Sequence, residues 1–554
     1  MGPFRRFAPA VAAATLLAGL SGGTAAAGHD VDLQILALDD FHSALLPSAG
    51  PDGQVVDDTG AIVPAGGAAY LATHLAALRA GHRDSLTVST GDNIGSTAPL
   101  SAVFGERPAI GFLRAAGVGL SAAGNHDFDD GPGALARFQR EGFPYLSANV
   151  TRDGAPVLAP YAVRRFGGVP VGFVGATTST TPALDLKPSG IAGLAFGAEV
   201  PAVNRAVAAL RRRGVHAIVL LLHEGDTAAP DARPNSCTVT APGNAGRIAR
   251  QVDADVDVVL SGHTHQQYVC TVPGPDGRPR LFTQPASFGT EVTEVDLRLD
   301  RRTGDVVRGA ARAANHVVTR TVRPDPATTA SLARWQRRLA PVLAAPVGSA
   351  TAAIPALPGP TAEIPAGELV ADSEVAAFHG RAQLALVDPH LVTGGLPAGT
   401  VSYGTARAVQ AGGTDLGLVT LTGAQLRQVL EQQFRSGQEV ILQPSSELHV
   451  TVDRGRPPGQ RVTAVTVAGR PLDDAAPYRV AASYFLLRGL DGFAAFTAGS
   501  GRTVGPPDVT SFLAYVGAHS PLSPPPAGRI TVVAELPGTA IFPSFTADSS
   551  RGGR

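Results

Sequence analysis

The chain is short of the residues that mark several protein classes. Its 554 residues include two cysteines, one methionine, one tryptophan and a single lysine, Lys187. Two cysteines are too few for a disulfide-built scaffold or a thiolate metal cluster. Aromatic residues make up only 5% and charged residues 16%, with a formal net charge of −1. That balance creates no global field to draw the protein to nucleic acid or an anionic membrane, so any anion must be met by local charge. The other basic residues are arginine, which we read as genome composition without functional weight. Beyond the first residues, no apolar run reaches the roughly 20 residues of a membrane span. What is present is 44% hydrophobic content, enough to bury large cores, on a length that allows roughly three or four domains.

The first residues read as an address. Arg5 and Arg6 precede an apolar run from Ala8 to Leu20 and then small residues up to Ala27, the three regions of a secretory signal at 1–27. The expectation is a secreted or cell-surface protein without stable membrane insertion. In an exported chain, Cys237 and Cys270 read as a disulfide rather than a metal pair. It would staple the regions on either side of Gly262-His263-Thr264-His265.

The chemistry gathers at strand ends. Val31 to Leu38 is an apolar strand that runs into Asp39-Asp40-Phe41-His42, and Ser85 to Ser89 runs into Thr90-Gly91-Asp92-Asn93. Gly117 to Ala123 leads into Gly124-Asn125-His126-Asp127-Phe128-Asp129. His216 to Leu222 ends in His223-Glu224-Gly225-Asp226, and Val256 to Ser261 ends in Gly262-His263-Thr264-His265. Helical stretches alternate with these strands, and Leu281 to Asp300 reads as a closing strand pair. Ligands in open α/β sheets gather at the carboxyl ends of strands. Asp, His and Asn with no thiolate suit Zn, Mn, Fe or Co, and seven ligands exceed one tetrahedral ion, so two divalent ions sharing a carboxylate fit better.

In order and spacing these motifs resemble the calcineurin-like metallophosphoesterases, specifically the secreted 5′-nucleotidase family. The resemblance implies an α/β protein: an N-terminal four-layer α/β/β/α metallophosphoesterase domain over 30–320 and a second α+β substrate-binding domain over 366–535. A helical linker would occupy 321–365 and a disordered tail 536–554. It further implies one metal held by Asp40, His42, Asp92 and His265 and another by Asp92, Asn125, His223 and His263. His126, oriented by Asp129, would stabilise charge on the phosphoryl group or the leaving oxygen.

The second domain departs from that family's pattern. Asp388-Pro-His-Leu-Val-Thr393 stands where the family carries an Asn-x-Gly-Gly-Ile-Arg type loop, and Ala411-Gly412-Gly413-Thr414 stands for Pro-Phe-Gly-Asn. Phe485 matches the remaining aromatic wall for a base, and Asp491 the residue that would hold ribose hydroxyls. An Arg-to-phosphate hydrogen bond is worth roughly 1.5 to 3 kcal/mol and a stacked base roughly 1 to 3 kcal/mol. Losing both would cost on the order of a hundred- to ten-thousandfold in affinity for a nucleotide. Arg407 and Arg488 are candidates for the missing charge.

The expected function is dimetal hydrolysis of a small-molecule phosphoester, with nucleotides or related compounds first. Two alternatives stay open. One is the same chemistry on a sugar nucleotide, cyclic nucleotide or non-nucleotide phosphoester. The other is a non-catalytic ligand-binding protein with a structural metal site.

Overall fold

The computed structural model of the chain describes residues 30–95, 98–239, 243–410, 412–435 and 438–534. The expected signal and tail, and Ala411, lie outside them.

Two sheets built from the N-terminal part pack face to face. The first runs Asp305–Val306, Glu291–Asp300, Asp30–Leu38, Ser85–Ser89, Val118–Ala122, Tyr145–Leu146, with Arg312–Val317 also paired to Glu291–Asp300. The second runs Gln267–Pro273, Pro279–Pro285, Val256–Ser261, Ala217–His223, Val169–Thr177, Tyr161–Phe166. Their central strands are parallel, which explains their near-continuous apolar sequences, because both faces are covered.

The inner faces meet in one core. Leu33, Ile35, Val88 and Leu120 from the first sheet pack with Val171, Phe173, Val219, Leu221 and Val258 from the second. The helices Ala68–Arg79, Arg107–Ala115 and Pro132–Arg140 cover the outer face of the first sheet, with Leu71, Leu75, Leu113 and Phe138 buried against it. Glu199–Arg211 and Asn244–Gln251 cover the second through Val203, Val207, Leu210 and Ile248. The result is a four-layer α/β/β/α sandwich.

The strands read from sequence as one closing pair are divided between the sheets. Pro279–Pro285 pairs in parallel with Val256–Ser261, whereas Glu291–Asp300 pairs antiparallel with Asp30–Leu38. The crossing between layers is made by Ala286 and Phe288, both at φ 54°, and Gly289 at φ 65°. Left-handed backbone there turns the chain from one sheet to the other, a step that apolar periodicity does not encode.

A helix, Pro326–Ala344, leads out of the sandwich. Asp325 caps it by accepting from the Thr328 N–H at 2.7 Å, and Leu332, Leu339 and Trp335 pack it onto the first domain's core. Pro346–Ala350, inside the stretch read as linker, pairs with Gly399–Ser402 and so is woven into the second unit.

The second unit is α+β. A five-stranded sheet runs Gln443–Pro444, Leu384–Val387, Pro477–Ser483, Asp415–Thr422, Ser500–Pro507, and a four-stranded one runs Arg470–Pro471, Val462–Val467, Leu448–Asp453, Ile530–Ala534. Pro365–Ala377 and Asp508–Ala518 pack through Leu369, Val370 and Phe512 against Ala385 of the five-stranded sheet, and Gly423–Glu431, opened by a Thr422/Gln425 capping box, packs through Leu426 and Val429 in one core with Val419, Val450 and Val465 of both sheets.

Candidate functional site

Because the two sheets share one core with their parallel strands aligned, the carboxyl ends of five strands open at one end of the sandwich. Asp40, His42, Asp92, Asn125, His223, His263 and His265 come from those ends, three strands of the first sheet and two of the second. One ligand atom each from Asp40, His42 and His265 lies within 4.8 Å of the others, and the same holds for Asp92, His223 and His263.

Asp92 stands between the groups. Its Oδ2 is 3.6 Å from His42 Nε2 and 3.2 Å from His223 Nε2. Asp40 Oδ1 is 3.8 Å from His42 Nε2 and 3.7 Å from His265 Nε2, and His223 Nε2 is 2.9 Å from Asn125 Oδ1.

The backbone is bent to make this possible. Asp40, His42, Asp92, His263 and His265 all have positive φ, between 39° and 75°. Such conformations cost non-glycine residues of order 1–3 kcal/mol each and persist where surrounding structure imposes them. Small neighbours supply the room. A Cβ on Gly124 would lie 2.1 Å from Asp92 Oδ1, and one on Gly91 would lie 2.5 Å from the Gly124 nitrogen and 2.8 Å from His223 Nδ1.

Hydrogen bonds aim the ligands. The His263 N–H donates to Asp40 Oδ2 at 2.7 Å and the His126 N–H to Asp92 Oδ1 at 2.9 Å. His223 Nδ1 is 3.2 Å from the Thr90 carbonyl oxygen, to which it donates, and this bond turns Nε2 toward Asn125 and Asp92. Behind them, buried Asp127 accepts from the Gly124 N–H at 2.9 Å and the Tyr145 hydroxyl at 2.9 Å, tying the Gly124-Asn125 turn to the core.

The electrostatics fit a cation. Burial opposes the charge on Asp92, but His223 and His126 outweigh it and hold its carboxyl well below the usual range. Burial pushes Asp40 up and pushes His42 well down. Burial and the charge of His223 bring His263 down to about 3, so that it offers a bare nitrogen. Asp40 Oδ1 is buried with no hydrogen-bond partner, an expensive state for a carboxylate oxygen unless a cation meets it. The donor set of imidazole, carboxylate and amide oxygen suits a borderline divalent metal at each group.

At the rim, His126 Nδ1 lies 3.2 Å from both oxygens of Asp129. Burial works against a charged His126, yet Asp129 and Asp92 win and push its pKa up to about 10. Lys187, set aside in the sequence, has its Nζ 3.3 Å from Asp129 Oδ2. The only sequence signal was that it is the single lysine.

In the second unit, His390 Nδ1 donates to Asp491 Oδ2 at 2.9 Å and sits 3.3 Å from Asp388 Oδ1. Asp388, which stands for the expected Asn, is thus buried beneath a histidine. Arg435 Nη2 approaches Asp491 at 3.8 Å. Phe485 is half-buried on the short helix Tyr484–Leu487, whose neighbour Tyr484 packs against the core. Arg488 donates to the Pro182 and Asp185 carbonyl oxygens at 3.3 and 3.4 Å, so it is engaged at the junction between the units. Cys237 and Cys270 are joined by a disulfide, with Cα atoms 5.0 Å apart.

Comparison with known proteins agrees with this architecture. Residues 33–267 match the calcineurin-like phosphoesterase family, and residues 346–498 match the 5′-nucleotidase, C-terminal domain family. The chain is 27% identical to the endonuclease YhcR of Bacillus subtilis, over 73% of this chain and 33% of that protein. It is 29% identical to the cell wall protein Lmo0130 of Listeria monocytogenes, over 96% of this chain and 72% of that protein. It therefore spans a third of the length of YhcR. A solved 5′-nucleotidase precursor from Thermus thermophilus superposes with a TM-score of 0.55 at 25% identity, covering 90% of this chain and 99% of that one. Residues 33–267 thus form a calcineurin-like phosphoesterase domain and residues 346–498 a 5′-nucleotidase C-terminal domain.

Proposed function

We propose that the chain acts outside the cell on a nucleotide or a related small phosphoester. The observation that carries this reading is the meeting of seven ligand side chains with the His126/Asp129 pair at one end of the sandwich. Two divalent ions, one held by Asp40, His42, Asp92 and His265 and the other by Asp92, Asn125, His223 and His263, would supply a water whose pKa falls from about 15.7 toward about 7 and would neutralise phosphoryl oxygens.

The chain's own groups do the rest. Asp92 serves both ligand groups, and His223, fixed by Thr90, keeps its ring aligned. With Nδ1 tied to Asp129, His126 has Nε2 free to hold a proton toward the leaving oxygen as the ester bond breaks. Asp491 and His390 form the polar floor on which a sugar or polyol would be recognised, and Phe485 offers one apolar wall.

A second reading, the same chemistry on a sugar nucleotide, cyclic nucleotide or non-nucleotide ester, is favoured by Gly412-Gly413 where an aromatic wall was expected. Phosphate release from AMP, UDP-glucose, cyclic AMP and bis(p-nitrophenyl) phosphate by metal-loaded protein, with Asp92→Asn as control, tests both. AMP among the best substrates supports the first reading. Preference for another ester supports the second, and turnover that survives Asp92→Asn contradicts the dimetal site.

A further inference from the structure

Lys187 lies in a segment, residues 182–190, that touches both units. On one side it grips the catalytic turn. Its Nζ reaches Asp129 Oδ2 at 3.3 Å, with Asp129 side chain only 7% and Lys187 27% exposed. Three residues on, Gly190 lies against the same turn, where a Cβ would fall 2.4 Å from the carbonyl oxygens of both Phe128 and Asp129. The segment thus holds the Asp129 side chain and backbone together.

On the other side the same residues are bonded to the second unit. The Asp415 N–H donates to the Leu186 carbonyl at 2.9 Å, and the Ser189 N–H donates to Asp415 Oδ2 at 2.9 Å. Arg488 donates to the Pro182 and Asp185 carbonyls. Within the segment, the Lys187 N–H donates to Asp185 Oδ1 at 2.7 Å and keeps the turn compact. Asp415 opens the strand Asp415–Thr422, which pairs with Pro477–Ser483, and Arg488 follows that strand's helix, three residues before Asp491. Arg488 therefore lies between Phe485 and Asp491 of the proposed substrate floor, and Asp415 lies on the strand paired with the one that leads into that stretch.

We propose that Lys187 is a positioning residue for His126, acting through Asp129, and that the segment 182–190 conveys the seating of the second unit to it. The side-chain partner of Lys187 is Asp129, so Lys187 acts on His126 indirectly. It fixes one Asp129 oxygen, and Asp129 fixes the His126 ring. In the step served, the attacking water gives one proton to solvent as its oxygen bonds to phosphorus, the ester P–O bond breaks with its electron pair passing to the leaving oxygen, and the His126 Nε2 proton goes to that oxygen, solvent then reprotonating His126. This rests on reading His126 as the group that serves the leaving oxygen.

An exposed ion pair would be worth little. This one is partly enclosed, and groups that orient a reacting side chain from behind typically account for 10–100-fold in activity. The effect must depend on the leaving group. p-Nitrophenolate departs unaided, whereas the alkoxide of glycerol phosphate or AMP needs its proton.

The test compares kcat and KM for p-nitrophenyl phosphate and an alkyl phosphate monoester hydrolysed by the metal-loaded protein, with bound metal quantified for every variant. Lys187→Met is expected to lower kcat on the alkyl ester about ten- to hundredfold while leaving the aryl ester, KM and metal content nearly unchanged, and Lys187→Arg is expected to restore much of it. Equal losses on both esters, or no loss, overturn the proposal. His126→Ala is run alongside. If it shows no leaving-group split, the reading of His126 fails; if it shows one and Lys187→Met does not, only the Lys187 proposal fails. Should Lys187→Met fail to fold, Arg488→Ala, outside the catalytic turn, loosens the segment from the second unit. It is expected to reproduce a smaller split and to speed hydrogen exchange over residues 126–131, and unchanged exchange there refutes the coupling.

Discussion

The Nε2 atoms of His42 and His265 face each other at 3.2 Å, with Asp40 Oδ1 within 3.8 Å of both. Two ring nitrogens and a buried carboxylate can point at one place only if a cation or shared protons lie between them. Removing the metals should therefore destabilise the fold. At free metal a hundredfold above Kd, the stabilisation is about 2.7 kcal/mol. Thermal unfolding with and without chelator measures it, and an unchanged midpoint would contradict metal binding at this site.

Asp92 is shared by the two groups, so Asp92→Asn removes charge from both. Groups that merely orient ligands cost 10–100-fold when lost, and a shared ligand should cost more, at least about a hundredfold in kcat with fewer than two metals retained. Metal analysis on the folded variant, read beside turnover, checks both parts.

Gly124→Ala tests packing alone, since the added carbon would lie 2.1 Å from Asp92 Oδ1 and 2.4 Å from the Asp92 nitrogen. Overpacking of this kind costs about 1–3 kcal/mol, and here it displaces a ligand. The variant should melt lower and should lose most of the chelator-sensitive part of its stability. A melt identical to the parent protein would show that the turn has slack.

Hydrogen bonds to Asp388 and Asp491 push the His390 pKa up to about 10, against about 6.5 in an unfolded chain. The folded state then binds more protons than the unfolded state between those values. The stabilisation is complete below about pH 6.5 and fades as pH rises through about 10. His390→Gln should flatten that part of the stability curve, measured as unfolding midpoint against pH. Parallel curves for the two proteins would remove His390 as the cause.

The disulfide between Cys237 and Cys270 closes a loop of sequence separation 33. Loop-closure entropy for that length gives about 4 kcal/mol. Replacing both cysteines by alanine should lower stability by up to that amount while leaving the metal ligands in place. Denaturant unfolding and metal content together measure it.

The strand-end motifs were legible because each combines a run of apolar residues with an abrupt polar cluster, and the order of five such clusters is written along the chain. The pairing of Ala286 to Gly289 with a change of sheet was not, because apolar periodicity marks a strand without naming its partner. Lys187 was missed for a related reason. Its meaning lies in Asp129, 58 residues earlier, and in Asp415 and Arg488, more than two hundred residues later. Arg488, considered from sequence as a source of positive charge for substrate, is instead bonded to backbone carbonyls at the junction of the units.

By itself the sequence determined the alternation of strands and helices, which polar side chains stand at the strand ends as candidate ligands, and the change of composition between the two parts, since these follow from local periodicity, turn residues and side-chain chemistry. Only the tertiary structure decided that the five strand ends belong to two sheets sharing one core, that Asp92 stands within reach of histidines from both, and that the segment 182–190 ties the His126 turn to the second unit. Those relations depend on which surfaces bury against each other, and burial is a property of the whole chain's packing rather than of any stretch of it.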